Sequence, residues 1–265
     1  MDTWTFMQTR RVFTLSEARR TLKRSGSERS VRDRLNYYVR TRRLLPVTRG
    51  VYAAVPPGID SARFQPDPFL IGATLRPDGV FGYYSALSLL GVARVDWNVV
   101  TVETVRRRRR LVVGGVRLEF VAPPRAILPL HQQRVGMTAV DRSGRALRVT
   151  GPERTLVEGL REPGRCGGIG ELVAAAAGFP ALDLDLVDRF LSAFDEKVLW
   201  ASLGWFLERH RRSFSVSDSF LSRLEQRRPR SRVYLARGDG RGRLAPRWNL
   251  ILPEALMSPG EPDER

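Results

Sequence analysis

The chain is expected to be an α+β protein, with an N-terminal winged helix-turn-helix followed by a larger mixed α/β domain. Three observations predict this. A capping-box start at Thr14-Leu15-Ser16-Glu17 opens one helix, the next helical stretch carries arginines on one face, and two β-rich runs separated by Arg49-Gly50 follow directly.

Ahead of Thr14 there is room for one short helix, Asp2–Arg10, with Trp4 and Met7 as its core residues. From Thr14, Leu15, Ala18 and Leu22 recur at i, i+3 and i+7, which turns one stripe inward and leaves Arg19, Arg20 and Lys23 outside. Ser25-Gly26-Ser27 reads as the turn. A second helix starts near Ser27 or near Ser30, the latter with Asp33 as capping partner, and runs to about Arg42. Leu44-Leu45-Pro46-Val47 and Val51-Tyr52-Ala53-Ala54-Val55 form the wing around Thr48-Arg49-Gly50, and Pro56-Pro57-Gly58 closes the module.

At roughly 100° per residue, Val31, Leu35, Tyr38 and Arg42 fall on one side of the second helix. Arg29, Arg32, Asp33, Asn36 and Arg40 fall on the other. Arg pairs bidentately with guanine and Asn with adenine, so Arg29, Arg32 and Asn36 are the candidates for base contact. Arg40 is placed for phosphate, and Thr48 and Arg49 on the wing for backbone or minor groove. The competing reading is an ordinary solvated helix face.

Composition bounds the function. At 265 residues and 42% apolar content the chain can bury a real core. It shows neither an apolar run of membrane-spanning length nor a basic-then-apolar leader, so a cytoplasmic protein with no membrane partner is expected. Cys166 stands alone, and His131 and His210 lie far apart, so no metal or cofactor site is expected. The net charge is +17, yet Lys23 and Lys197 are the only lysines, a bias that GC-rich coding produces without selection for function. Distribution says more: residues 1–56 carry 13 Lys/Arg against 4 Asp/Glu. That density suits a DNA-facing module.

Residues 59–67 read as a linker, and Phe69–Leu75 fits strand or helix equally. Tyr83–Gly91 is a short helix ended by glycine. Val99–Val105 is a strand, followed by Arg106, Arg107, Arg108, Arg109 and Arg110 in a loop. Leu111–Val113, Gly114-Gly115 and the alternating Val116–Phe120 come next. The arginine run is a candidate for phosphate or for an acidic partner surface; a solvated loop explains it equally well. Leu147–Val149 is a strand, and Thr150-Gly151-Pro152-Glu153 looks like a second capping box, opening a helix with Leu156, Val157 and Leu160 buried. An Ala-rich helix follows Gly167-Gly168. Asp185–Phe194, Lys197–Arg211 (with Val198, Trp205 and Phe206 apolar) and Asp218–Arg228 are further helices. Val233–Ala236 and Trp248–Leu252 are strands flanking a Gly-rich loop, and an acidic tail, 257–265, is expected to be disordered.

Gly167-Gly168 with Asp183 and Asp185 has the elements of a nucleotidyltransferase site, a phosphate-holding glycine pair and two carboxylates for Mg²⁺. Asp185, however, also reads as a helix N-cap, and no nucleophile elbow or Glu-x-Lys pair accompanies it. The expectation is a protein that is not an enzyme.

Taken together, Val12-Phe13-Thr14…Glu17-Ala18, Ser-x-x-Val31…Leu35, Arg49-Gly50-Val51-Tyr52, Tyr83-Tyr84-Ser85-Ala86-Leu87, Glu153-Arg154-Thr155-Leu156-Val157, Gly167-Gly168 and Arg247-Trp248-Asn249-Leu250-Ile251-Leu252-Pro253 resemble the AbiEi-type antitoxins of type IV abortive-infection toxin–antitoxin systems. The resemblance runs over nearly the whole chain. It implies a winged helix (1–58) that binds inverted repeats upstream of its own operon, and an AbiEi-like α/β domain (68–256) that counters a nucleotidyltransferase toxin of the AbiEii type. It also makes Gly167-Gly168 a helix start. Two features depart from the family: Arg42-Arg43-Leu44 stands where a glycine usually precedes the wing, and the Arg106–Arg110 run is not required. A stand-alone winged-helix regulator with a sensory or partner-binding domain is the alternative, and an Mg²⁺-dependent nucleotidyltransferase the remote one. The two expected activities should separate at the linker.

Overall fold

In the computed structural model, residues 2–22, 28–106, 109–236 and 242–256 are described, with Glu28, Arg29 and Ala255 as backbone only. The expected turn at Ser25-Gly26-Ser27, Lys23, Arg107, Arg108 and the tail 257–265 lie outside the described residues, as does most of the Gly-rich loop.

The molecule is α+β, with an N-terminal winged helix-turn-helix. Asp2 caps α1 (Thr3–Thr9) by accepting from the Thr5 amide at 3.0 Å. On so short a helix Thr3, Phe6 and Met7 share one face, so Phe6 is buried, while the expected core residue Trp4 is exposed under the Arg43 guanidinium. Then come β1 (Val12–Thr14), α2 (Leu15–Leu22), α3 (Glu28–Arg40), β2 (Leu44–Thr48) and β3 (Val51–Ala54). The three strands form one antiparallel sheet in the order β1-β3-β2. Pro46 lies on the edge strand β2, where no ladder donor is missed. Phe6, Met7, Phe13, Ala18, Leu22, Val31, Leu35, Leu44 and Ala54 make the core of this module.

Contacts divide the chain into two compact units, 1–81 with 98–122 and 139–148, and 82–97 with 123–138 and 149–265. The linker expected at residues 59–67 thus falls inside the first unit. There, α4 (Pro68–Leu75) is a helix because Asp67 caps Phe69 and Leu70 and Pro68 occupies the first turn. Phe69, Leu70, Ile71, Gly72, Thr74 and Leu75 are all buried, which leaves no polar face to betray the period. Thr74 Oγ1 donates to the Leu70 carbonyl at 2.8 Å and lies 3.4 Å from the Val12 carbonyl, which places α4 against β1. The larger sheet consists of β4 (Val80–Phe81), β5 (Val99–Glu103), β6 (Leu111–Val113), β7 (Val116–Val121), β8 (Met137–Arg142) and β9 (Arg145–Thr150), in the order β6-β7-β5-β4-β9-β8. β5 and β7 are parallel, and β6 and β7 form a hairpin whose Gly114 and Gly115 take φ of +56° and +80°.

The second unit holds α5 (Tyr84–Leu89), α6 (Leu128–Gln132), α7 (Pro152–Arg161), α8 (Ile169–Ala176), α9 (Leu184–Phe194), α10 (Lys197–Arg209) and α11 (Asp218–Gln226). It ends in a small sheet of β10 (Val233–Tyr234), β11 (Gly242–Ala245) and β12 (Leu250–Pro253), ordered β10-β12-β11. β11 was not expected from the sequence. α7 is the central helix, buried from Glu153 to Leu160, and it encloses an Arg154–Glu158 ion pair at 2.9 Å. The capping box expected at its start is not made: Gly151 is the N-cap, Thr150 Oγ1 meets Thr155 Oγ1 at 2.7 Å, and Glu153 accepts from the Asp183 amide at 2.9 Å. Tertiary partners outcompete the local cap. Val198 is exposed, because α10 turns Leu199, Trp200 and Leu203 inward instead.

Candidate nucleic-acid interface

The local geometry starts at Thr14, where the capping box forms in full. The Thr14 amide donates to Glu17 Oε2 at 2.6 Å and the Glu17 amide to Thr14 Oγ1 at 3.0 Å. Next in the chain, the Leu15 amide donates to the Gly50 carbonyl at 2.8 Å, which ties the wing turn to the start of α2. Gly50 has φ +74°, a conformation that favours glycine.

α3 begins at Glu28, so Ser30 lies within the first turn and Ser30 with Asp33 is not its capping box. Val31 and Leu35 are fully buried and Tyr38 packs against the same core. Arg42 does not continue this stripe. It follows the helix with φ +57°, while the Arg43 amide donates to Tyr38 O and the Arg42 amide to Val39 O. This is a Schellman ending with arginine at the position glycine usually takes. It explains how the wing follows α3 without the expected glycine.

On the opposite face Arg32, Asp33, Asn36 and Arg40 are exposed, as is Arg49 at the wing turn; Thr48 is half-buried. The side chains of Arg32, Asn36, Arg40 and Arg49 make no ion pair or hydrogen bond with any described residue. The side chain of Arg29 lies outside the described residues. Tyr37 joins the face, 54% exposed and edge-on to Tyr38 at 5.5 Å. Sequence reasoning overlooked it, although an aromatic three residues before Arg40 on a polar arc was the available signal.

Charge separates the two units. The first contains 24 Lys/Arg against 10 Asp/Glu, a net +14, and the second 21 against 18, a net +3. Many arginines of the second unit are also engaged. Arg161 meets Glu196 at 2.7 Å, Arg165 meets Glu162 at 2.7 Å, and Arg247 bridges Glu208 and Glu225 at 2.5 and 2.9 Å. They are structural cations.

Arg106, Arg109 and Arg110 are exposed in the loop between β5 and β6. At its root the Arg106 amide donates to Thr104 Oγ1, which itself donates to Asp78 at 2.7 Å. Partial burial opposes ionisation of Asp78, but the Thr104 hydrogen bond and the Arg76 and Arg106 charges outweigh it and hold the carboxyl below its usual range.

The carboxylates considered for Mg²⁺ have another geometry. Asp183, and not Asp185, is the N-cap of α9, accepting from the Asp185 and Leu186 amides at 3.0 Å. Gly167 and Gly168, with φ +78° and +99°, lead into α8. His131 lies 3.3 Å from Arg154, and Cys166 is buried. Among the described residues no cluster of three or more His, Cys, Asp or Glu has metal-holding geometry, and no helix is long and apolar enough to cross a membrane.

No protein-family model and no curated protein matches the chain. Among solved structures, the crystal structure of the RV2827C protein from Mycobacterium tuberculosis is similar in fold: TM-score 0.61 at 18% identity, covering 95% of this chain and 92% of that one.

Proposed function

We propose that this chain is a cytoplasmic antitoxin of a type IV toxin–antitoxin system, without catalytic activity of its own. In this reading α3 and the wing hold operator DNA with inverted repeats to repress the chain's own operon, and the remainder counteracts an AbiEii-like nucleotidyltransferase toxin. The DNA-binding half rests on one observation: the side chains of Arg32, Asn36, Arg40 and Arg49 are exposed and have no partner among the described residues, in a unit of net charge +14. Phosphate neutralisation needs such cations, and an ordered helix face lets some of them read bases. The toxin half is supported by the sequence resemblance.

A stand-alone regulator with a sensory domain is favoured by a different observation. The second unit has a cavity of about 710 Å³ bounded by Leu160, Ile169, Val198, Leu199, Tyr234 and Leu235. That size and apolar character suit a small-molecule effector.

Three assays test these readings. Gel shifts of full-length protein on its own upstream DNA, against a scrambled duplex, should show specific retardation; equal binding to both overturns operator recognition. Co-expression with the neighbouring toxin should restore growth even when Arg32 is replaced by Ala. If protection requires Arg32, the effect is repression alone. Purified protein with tRNA, nucleoside triphosphates and Mg²⁺ should leave the RNA unlabelled; labelling lost on Asp183→Ala would make it an enzyme.

A further inference from the structure

The six-stranded sheet ends at β6, which among the described residues pairs only with β7. Its two-residue turn, Gly114-Gly115, makes Val113 and Val116 the hydrogen-bonded pair next to the loop. Narrow and wide pairs alternate along an antiparallel ladder, so Val112, opposite Arg117, turns its own N–H and C=O away from β7 toward the open edge. Two residues earlier, the Arg110 carbonyl faces the same way, because the N–H of Leu111 across the same peptide is turned to Leu118 of β7. Val112 is 63% exposed, and so is Val105 on the other side of the arginine loop. Arg109 and Arg110 are exposed and have no partner among the described residues.

We propose that the β6 edge is a docking site for an extended, acidic segment of a partner protein, which adds as a further strand beside β6 with its carboxylates on Arg109 and Arg110. Open backbone groups two residues apart are what strand addition uses, and alternate side chains then supply specificity. Charge complementarity selects the occupant, since two arginines directly preceding the edge favour carboxylates and repel basic strands. A phosphate-binding loop has no use for the outward backbone of Val112 or for exposed valines on both sides, so the same features favour a peptide over DNA. The inference stands independently of the antitoxin reading.

The test uses the full chain and a labelled peptide, acetyl-(Glu-Val)₃-amide, with fluorescence anisotropy and amide hydrogen exchange. Binding should slow exchange of the Val112 amide. It should be lost when alternate peptide nitrogens are methylated, and lost for acetyl-(Lys-Val)₃-amide. Val112→Pro removes the outward donor but no ladder bond, so it should weaken binding at least tenfold without lowering the melting temperature. Arg109→Ser with Arg110→Ser should weaken binding about tenfold at low salt and less at high salt. No binding, or equal binding of the methylated peptide, overturns the proposal. So does a double variant that loses affinity for a random duplex while keeping that for the peptide; the run is then a phosphate contact. Methylation of the peptide keeps the experiment decisive even if Val112→Pro fails to fold.

Discussion

Arg32 and Arg49 have the same side chain in two different situations, one in the middle of a helix face and one at a turn. Removing a base contact costs about 1–3 kcal/mol and relaxes specificity at one position, whereas removing a phosphate contact weakens all sequences alike and lowers the salt slope by about one. Arg32→Ala should therefore cut the ratio of operator to scrambled affinity, and Arg49→Ala should leave that ratio intact. Gel shifts over a salt series read both, and two variants that bind like the parent would mean a merely solvated face. Arg42 offers a second residue-scale test. Its left-handed φ costs an L-residue about 1–2 kcal/mol, partly offset because glycine loosens the unfolded chain. Arg42→Gly is expected to raise stability by about 0.5–1 kcal/mol in urea unfolding. Cys166 is buried and its thiol pKa is pushed up by that burial and then by Glu158 and Glu162, so it should react with a disulfide reagent only as the protein unfolds.

At the scale of an element, α10 shows tertiary packing overruling propensity. Gly204 sits mid-helix, where alanine gains about 1 kcal/mol in a solvated helix. Here the Trp248 ring occupies the space a Cβ would need, and its indole N–H is held by Glu208 at 2.6 Å, with Arg247 alongside. The ring cannot move without breaking that set. Gly204→Ala should thus destabilise by about 1–3 kcal/mol, and an unchanged or higher melting temperature would refute this account of the Arg247-Trp248 motif. Next to the end of α10, His210 lies between Phe206 and Phe214, with ring centroids at 4.7 and 6.3 Å. Burial, and then the Arg209 charge, depress its pKa below the ordinary 6.5. The unfolded chain therefore takes the proton first: this contribution to stability is present above pH 6.5 and is lost as pH falls through that value toward the depressed one. His210→Gln should flatten the pH dependence of unfolding there, as measured by denaturant midpoints.

For the whole molecule, the consequence lies in how the winged helix is anchored. Residues 55–67 contain no helix or strand and look like a linker, yet β1 meets α4 beyond them through Thr74 and Val12. Arg145 of β9 adds to the anchor, donating to Thr74 and, at 2.9 Å, to the Ala73 carbonyl. Proteolytic nicking between 59 and 66 should consequently leave two fragments that co-elute in size exclusion without denaturant; clean separation would restore the independent module read from the sequence. What the sequence by itself determined was local in origin. The Thr14–Glu17 box needs four consecutive residues, the Arg49-Gly50 and Gly114-Gly115 turns need a φ that glycine permits, and the stripe of Val31 and Leu35 needs one dry face and one wet one. Each signal is complete within a few residues. Tertiary structure alone decided the rest. α4 is buried almost all round, so its period has no polar phase to show it, and at the start of α7 Thr150 and Glu153 gave up their cap for Thr155 and the Asp183 amide. The extent of the first unit, which brings Arg106, Arg109 and Arg110 into the same body as the winged helix, follows from strand pairings between residues far apart in the chain. Such pairings depend on which surfaces meet after collapse, and no window of neighbouring residues encodes that.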